Sequence, residues 1–240
     1  MSDDNCAQII VLFYDIIYLM SFRHKIPSLI AFILILVGFL VIMGWIFNVS
    51  FLRSINPLWT PMKFVTAVCF MMSGLIIFAT NRIFHGEFNI APLILSAGSL
   101  TIIILTSVFF ASNIFNIPVG IEQLFIGEIF LKGKIYNLQP CTASMFNFLL
   151  IAIVGIMSMH KIKSHKKIIL IVGILIGFIG LSSIIGHILR VPFLYFNIYG
   201  FSSAMSVISG PMFVLIGMVF YLLYACPLNN FTKVKNENQI

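Results

Sequence analysis

Six uninterrupted apolar runs constrain this chain more than any other feature of its sequence. They cover residues 28–47, 62–80, 92–112, 141–159, 168–187 and 204–224. A helix needs about 20 apolar residues, within a range of about 17 to 25, to cross the hydrocarbon core of a bilayer. The runs lack the alternation of apolar and polar residues that marks a membrane-spanning β-strand. The sequence therefore predicts an all-α, polytopic membrane protein with six transmembrane helices.

The composition points to the same class of protein. Hydrophobic residues make up 60% of the chain and charged residues 9%, whereas about 25% of the residues in a soluble domain are charged. The formal charge of +7 is spread over short segments between apolar runs, which leaves no soluble surface for a nucleic acid. We therefore expect these basic residues to meet anionic lipid headgroups, with the lipid bilayer and no nucleic acid as a partner.

The basic residues also predict an orientation, because cytoplasmic loops carry an excess of Lys and Arg. If the N-terminus is inside, the cytoplasmic side receives Arg23, Lys25, Arg82, Lys161, Lys163, Lys166, Lys167, Lys233 and Lys235. The outer side then receives Arg53, Lys63, Lys132, Lys134 and Arg190. This excess predicts that both termini are cytoplasmic.

Two segments flank the predicted membrane domain, which covers residues 28–225. Residues 1–27 form a cytoplasmic or interfacial segment, in which an apolar stretch at 6–20 is interrupted by Asp15. That stretch is too short for a typical span, so it is expected to form an interfacial helix, with a seventh span as the alternative. Residues 226–240 are polar and are expected to form a cytoplasmic tail.

Three similar nonapeptides indicate an internal repeat: GWIFNVSFL at 44–52, SNIFNIPVG at 112–120 and GHILRVPFL at 186–194. Each lies at the end of an odd-numbered run. The even-numbered run that follows opens with a small or hydroxyl-bearing pair: Thr66-Ala67, Thr142-Ala143 or Ser209-Gly210. The pattern predicts three repeated helical hairpins, at about 28–80, 92–159 and 168–225, that pack through their small residues.

Several short motifs in these hairpins carry a resemblance to a known family. They are PMKFVTAVCFMMSGLIIF at 61–78, GIEQLF at 120–125 with QPCTASMFNFLL at 139–150, and RVPFLY at 190–195 with SSAMSVISGPMFVLIG at 202–217. Over residues 38–222 the chain resembles the six-span sensory region at the N-terminus of many bacterial sensor histidine kinases and diguanylate cyclases. The resemblance implies a multi-pass protein of the bacterial inner (cytoplasmic) membrane that takes part in signal transduction.

The chain departs from that family in two ways. The family tends to place a polar residue before a Thr-Ala pair in each even span, but Val65, Cys141 and Ile208 stand there, so the polar cluster is expected to be largely missing. The residues after Tyr224 are too few for a kinase or cyclase domain. The resemblance therefore implies a sensor-like input module without its own output domain, which signals through helix packing to a cytoplasmic kinase or cyclase partner.

Residues at the predicted outer ends of the spans are the candidates for sensing a signal or ligand. A 15-residue stretch in the longest outer loop, GIEQLFIGEIFLKGK, has the spacing of an amphipathic helix and forms either an interfacial cap or a lid over a ligand cleft. The candidate residues are Thr66, Thr142 and Ser209 on the even spans, Glu122 and Gln123 in that loop, and Arg190 and Tyr195 in the third outer loop.

Gly173, Gly177, Gly180 and Gly186 form a small-residue ridge on the fifth span. Such a ridge lets a neighbouring helix approach closely. The neighbour is expected to be a helix of the same chain, and a homodimer through the ridge is the alternative.

The sequence does not predict an enzyme. The interiors of the spans contain no Asp, Glu or Arg, and no catalytic motif is visible. His85 and His160, on one predicted level, are the best pair for a metal or haem, but interfacial histidines commonly have no such role, so no metal or cofactor is expected. The alternative to a sensor is a small transporter, channel or membrane assembly factor, which the helix-breaking pair Gly210-Pro211 would suit.

Overall fold

The structure of the protein, a computed structural model, describes residues 3–54, 56, 59–84, 89–115, 140–159, 165–198 and 202–225. For residues 3–24, 113, 114 and 165 the structure describes only the backbone. The helices are α1 (Asp3–Ile46), α2 (Ser50–Arg53), α3 (Phe64–Phe84), α4 (Ala91–Phe115), α5 (Thr142–Ser158), α6 (His165–Leu189), a 3-10 helix (Pro192–Tyr195) and α7 (Ser209–Ala225). The described ranges contain no strand, apart from a single bridge between Ile198 and Ser202, so the predicted all-α class is confirmed.

Four helical segments are long and apolar enough to cross a membrane: Lys25–Ile46, Phe64–Phe84, Ala91–Ser112 and Lys166–Leu189. Their outer surfaces carry large apolar side chains, such as Phe32 on α1, Leu93 on α4 and Phe178 on α6, that lie exposed. An apolar helix with an apolar exposed face is stable in lipid and not in water. The protein is therefore membrane-embedded and multi-pass.

The other two predicted spans correspond to shorter apolar helices. Both α5 and α7 have 17 residues. The predicted span at 204–224 starts five residues before α7 does. Ser206 explains the late start, because its Oγ accepts a hydrogen bond of 3.2 Å from the backbone N–H of Ser209, the first residue of α7. A serine that binds the first N–H groups in this way favours the end of a helix over its interior.

The first helix is longer than predicted. It runs without a break from Asp3 to Ile46 and contains Pro27 in its interior, at the predicted boundary between the N-terminal segment and the membrane domain. The backbone of residues 3–24 is thus helical and continuous with the first span. Its location in the interface or across the bilayer stays a prediction.

The helices form an inner and an outer set. The inner helices are α3, α5 and α7. Among the outer helices, α1 packs on α3, α6 packs on α7, and α4 packs on both α5 and α3. Burial follows this division, because 67% of the apolar window of α3 is buried but only 33% of those of α4 and α6. In addition, α1 contacts α7, so the first and last helices of the chain are neighbours.

Three phenylalanines fill the centre of the inner set. Phe70 of α3, Phe148 of α5 and Phe213 of α7 are each at most 1% exposed. Their ring centroids lie 4.9, 4.9 and 5.2 Å apart, within the range in which aromatic pairs attract each other beyond the effect of burial. We call these three residues the Phe cluster. It closes the space between the inner helices at this level.

Glycines allow α6 and α7 to approach closely. A Cβ atom on Gly180 would lie 2.7 Å from the carbonyl oxygen of Gly210, and one on Gly173 would lie 2.7 Å from the Cβ of Phe220. Neither contact leaves room for a side chain. The predicted ridge therefore packs against α7 of the same chain at these two positions. A homodimer that used the ridge would first have to displace α7.

The other two glycines of the predicted ridge differ from this pair. A Cβ atom on Gly177 would meet only the Cα of Gly217, at an ordinary 3.9 Å. A Cβ atom on Gly186 would lie 2.6 Å from the Cβ of Leu194, in the 3-10 helix. Gly186 thus serves a different contact from the rest of the ridge, because it allows the 3-10 helix to fold back onto α6.

The turn after α1 and the turn after α6 are built alike. The backbone N–H of Val49 donates to the carbonyl of Gly44 at 2.9 Å, and the N–H of Val191 donates to that of Gly186 at 3.0 Å. The residue before each donor is left-handed, with φ of 55° at Asn48 and 57° at Arg190. Such a bond next to a left-handed residue is a common way to end a helix. These turns coincide with the first and third of the similar nonapeptides.

A candidate ligand site at one end of the bundle

Both turns lie at the same end of the bundle, which we call the cleft end. It is the predicted outer end of the protein. The inner helices α3, α5 and α7 all begin there, at Phe64, Thr142 and Ser209. Backbone N–H groups at the start of a helix are unpaired and carry a partial positive charge. The N-termini of three helices therefore give the cleft end a positive electrostatic potential.

A small pocket lies between these three helix starts. It has a volume of about 10 Å³, enough for one water molecule. Its lining consists of Pro61, Lys63, Thr66, Cys141, Ser144, Ala204, Ser206 and Ser209. We call it the polar pocket. Thr66, Ser144 and Ser209 each stand four residues, or about one helical turn, before a member of the Phe cluster.

The polar pocket corrects the predicted register of the fourth span. The sequence pairs Thr142 with Thr66 and Ser209, but Ser144 is the residue of α5 that joins them in the pocket. Thr142 is the first residue of α5, and its backbone N–H donates to Ser202 Oγ at 3.2 Å. Ser144 lies further into the helix, at the level of the pocket.

A polar cluster is present even though Val65, Cys141 and Ile208 replace the polar residues of the family pattern. Lys63 is 93% buried among hydroxyl groups, and Cys141 itself lines the pocket. The hydroxyl groups of Ser206 and Ser209 bond to each other at 2.8 Å. These residues of the inner helices differ from those of the family pattern, so the absence of the family's own polar cluster stays an expectation.

A tryptophan stabilises the turn after α1, which we call the first turn. Trp45 Nε1 donates a hydrogen bond of 2.9 Å to the carbonyl of Met62, and the guanidinium of Arg53 lies 4.8 Å from the centroid of the Trp45 ring. Arg53 also donates to Asn48 Oδ1 at 2.9 Å, and the N–H of Met62 donates to the Arg53 carbonyl at 2.9 Å. The cation, the indole and the backbone together fix this turn.

The second turn repeats the arrangement with different side chains. His187 Nε2 lies 2.8 Å from the carbonyl of Met205, and since a carbonyl only accepts, Nε2 carries the proton. The Tyr195 ring stacks on His187 with centroids 4.4 Å apart and an angle of 5° between the rings. The N–H of Met205 donates to the Tyr195 carbonyl at 2.9 Å. His187 and Tyr195 thus take the places of Trp45 and Arg53.

A larger cleft opens beside the second turn. Its volume of about 520 Å³ is typical of a small-molecule site. The lining residues are Trp59, Ile184, His187, Ile188, Arg190, Tyr195, Val207 and Pro211. They combine the guanidinium of Arg190 and the rings of Trp59, His187 and Tyr195 with aliphatic side chains. Such a lining suits a molecule with an apolar body and an anionic group.

The structure distributes the predicted sensing residues over neighbouring sites. Arg190 and Tyr195 line the cleft, and Thr66 and Ser209 line the polar pocket. Thr142 does not line the pocket but directly follows Cys141, which does. Glu122 and Gln123 lie outside the described residues, as do His85 and His160. Within the described part of the chain, no group of three or more metal-ligating residues comes together.

Sequence reasoning missed several residues of these sites. His187, Trp59 and Lys63 were not among the candidate sensing residues, although His187 and Trp59 line the cleft and Lys63 lines the polar pocket. The alignment of the nonapeptides could have identified His187, because it occupies the position of Trp45 in the first copy.

Asn147 is a further buried polar residue, in the interior of α5. Its side chain has no exposed surface, and neither its Oδ1 nor its Nδ2 has a hydrogen-bond partner. A buried amide without partners destabilises the folded state by about 1 to 3 kcal/mol. Such groups are uncommon in native proteins and mark positions where something other than stability decides the residue.

We predict that Asn147→Leu raises the free energy of unfolding by about 1 kcal/mol, because leucine has the same branching and buries no unpaired polar atom. Unfolding by dodecyl sulfate in mixed micelles measures the change. Asn81→Leu is the matched control and should lower stability, since Asn81 Nδ2 donates to Ser28 Oγ at 2.9 Å. A loss of stability in both variants would contradict the prediction.

No protein-family model, curated protein or solved structure matches this chain.

Proposed function

We propose that the protein is a membrane-embedded signal-input module that binds a ligand in the cleft and responds by a change in helix packing. This proposal rests on the position of the cleft at one end of a bundle whose centre is filled. A small-molecule cleft opens at one end, while the Phe cluster fills the space between the inner helices. A ligand at the cleft end can thus be bound but not passed through the centre.

The proposal includes six membrane spans arranged as three repeated hairpins. The 17 residues of α5 and of α7 reach the lower limit of a spanning helix. The matching turns after α1 and α6 support the repeat, as does the packing of α1 on α3 and of α6 on α7. With the N-terminus inside, the cleft end faces the exterior of the inner membrane of a bacterium.

The proposed ligand is an amphipathic molecule with an anionic group. Arg190 lines the cleft and carries a fixed positive charge with donors suited to a carboxylate or a phosphate. Ile184, Ile188 and Val207 offer an aliphatic surface for the rest of the molecule. A cleft at the level of the membrane interface would receive such a molecule directly from the lipid phase.

Ligand binding would act on the contact between α6 and α7. The cleft takes Ile184 and Ile188 from α6 and Pro211 from α7, so a ligand touches both helices at once. Glycines at the contact leave few interlocked side chains to resist a small shift. A ligand that prefers one arrangement would shift the population toward it. The change in helix packing would be transmitted through α7 to residues 226–240. These residues would then act on a cytoplasmic kinase or cyclase partner.

We propose no catalytic activity. The alternative of a transporter, channel or assembly factor has less support. Transport through the centre would require the Phe cluster to separate, and Gly210 packs against α6 instead of interrupting a span.

A brominated single-chain fatty acid tests the ligand site, because bromine quenches a nearby indole. Trp59 lines the cleft, whereas Trp45 is buried in the first turn. In nanodiscs we expect saturable quenching that disappears in Trp59→Phe. We also expect affinity to fall by about tenfold in Arg190→Gln, which corresponds to one lost charge-assisted hydrogen bond. Equal quenching by the matching brominated alcohol, with no effect of Arg190→Gln, would contradict the proposed ligand class.

Purification from native membranes tests the signalling role. A tagged full chain should enrich a kinase or a cyclase over a control membrane protein, and the fatty acid should change the amount recovered. Recovery without any such partner would count against the signalling role.

A further inference from the structure

We propose that the cleft selects an anionic lipid with a neutral hydrogen-bond donor, in its simplest form a hydroxyl group, close to the acidic group. His187 recognises this donor, while Arg190 binds the acid. The inference rests on the proposed function of the cleft and adds to it the residue that distinguishes one anionic lipid from another.

The first turn shows what the residue at the position of His187 has to do for the fold. Trp45 and His187 are aligned in their nonapeptides. Trp45 Nε1 donates to the carbonyl of Met62 at 2.9 Å. His187 Nε2 donates to the carbonyl of Met205 at 2.8 Å. Both carbonyls lie shortly before an inner helix. Since an indole can only donate, one ring N–H is enough to stabilise such a turn, and a histidine is not required.

His187 has a second ring nitrogen, which an indole lacks. With the proton on Nε2, Nδ1 of the neutral ring carries a lone pair and accepts hydrogen bonds. Among the described residues Nδ1 has no hydrogen-bond partner. It is also not one of their fully buried polar atoms without a partner, so it retains accessible surface. His187 lines the cleft, whereas Trp45 is 3% exposed and does not. Nδ1 is thus an acceptor offered to the contents of the cleft.

The other polar side chains of the cleft do not select among anions. Arg190 and the indole N–H of Trp59 donate, and the hydroxyl of Tyr195 donates or accepts. All three can bind a carboxylate or a phosphate. Nδ1 of His187 is different, because its lone pair repels an anionic oxygen and attracts an O–H group. An ammonium group as the donor is disfavoured by the positive charge of Arg190.

The positions of His187 and Arg190 indicate that the two groups of the ligand lie close together. His187 is in the last turn of α6, and Arg190 directly follows the helix, three residues later. Side chains three residues apart near a helix end are neighbours, with Cβ atoms about 5–6 Å apart. A β-hydroxy fatty acid and a glycerol phosphate with one acyl chain both present an acid and a hydroxyl within a few bonds. Their chains would lie along Ile184 and Ile188.

The test is the displacement of the brominated fatty acid from the full chain in nanodiscs, followed through Trp59. β-Hydroxymyristate is compared with myristate, and lysophosphatidate with the analogue that lacks its glycerol hydroxyl. We expect the hydroxylated member of at least one pair to act at about fivefold lower concentration, as one added hydrogen bond allows. The pair that shows the preference identifies the source of the ligand. β-Methoxymyristate, which cannot donate, should act like myristate. Equal potency within both pairs would overturn the inference.

Variants at His187 assign the preference to its ring nitrogen. His187→Trp keeps the donor that the first turn uses, and His187→Phe keeps a ring to stack on Tyr195; neither has an acceptor. Calorimetry with the unlabelled lipids should give a ratio of the two affinities of about one in both variants. Arg190→Gln should weaken both lipids alike and keep the ratio of the parent protein. A preference that persists in both His187 variants would overturn the role of His187.

The outcomes separate this inference from the proposed function on which it rests. Saturable binding of myristate that depends on Arg190, with no effect of the hydroxyl group, would overturn the inference and support the proposed function. The absence of saturable binding by any of the four lipids would overturn both.

Discussion

Replacing Gly180 by valine should lower the free energy of unfolding by about 3 kcal/mol or more. The Cβ atom of a residue at this position would lie 2.7 Å from the carbonyl oxygen of Gly210, 2.9 Å from the Cβ of Phe213 and 3.0 Å from the backbone nitrogen of Val214. Two of these atoms belong to the backbone of α7, so no rotamer change relieves the contact. The helices have to separate, which also disturbs Phe213 in the Phe cluster. Unfolding by dodecyl sulfate, followed by circular dichroism, measures the loss.

Gly177→Ala provides the control on the same helix. Its Cβ atom would meet only the Cα of Gly217, at 3.9 Å, and alanine favours a helix over glycine by up to about 1 kcal/mol. This variant should be as stable as the parent protein or slightly more stable. If it lost as much stability as Gly180→Val, the close approach of α6 and α7 at Gly180 would not be the cause.

Truncating the Phe cluster is the second change with a large expected effect. Phe148→Ala removes a fully buried ring that contacts both Phe70 and Phe213. The lost burial and the cavity that remains should together lower the free energy of unfolding by about 3 to 5 kcal/mol. Phe146→Ala is the control, since Phe146 lies two residues away on α5 and is 47% exposed. It should change stability by less than about 1 kcal/mol.

The double variant Phe70→Ala with Phe148→Ala tests whether the cluster acts as one unit. Rings in direct contact are not independent, so the double variant should lose less stability than the two single variants added together, with a difference of about 0.5 kcal/mol or more. Strict additivity would show that the two rings contribute separately, and would remove the cluster as the common centre of the inner helices.

The helices were largely predictable because a bilayer imposes a long apolar run on each span. Hydropathy mispredicts a helix boundary where the apolar run and the helix end for different physical reasons. The run at 204–224 begins with Ala204, but the hydroxyl of Ser206 caps α7 at Ser209. At the other end of the chain, α1 continues as a helix through Pro27, since a proline inside a span removes one hydrogen bond without requiring the helix to stop.

The candidate site was predictable in part, and the reason differs for each residue. Arg190 and Tyr195 stood out as polar or aromatic residues in a predicted loop, and both line the cleft. Ser144 did not stand out, because Thr142-Ala143 fits the same small-residue pattern two positions earlier. Only packing against the other inner helices decides between the two registers. Asn147 lies inside an apolar run. Nothing in the sequence pattern indicates that its amide is left without a hydrogen-bond partner.

The Phe cluster also determines when the fold is complete during biosynthesis. Its three rings come from helices that leave the ribosome one after another, and α7 is the last of them. Until α7 is inserted, Phe70 and Phe148 have no third ring, and the hydroxyl groups of Thr66 and Ser144 lack the helix that encloses them. Polar groups that face lipid are costly. We therefore expect a nascent chain arrested before Phe213 to be more susceptible to membrane proteases than the chain that contains α7.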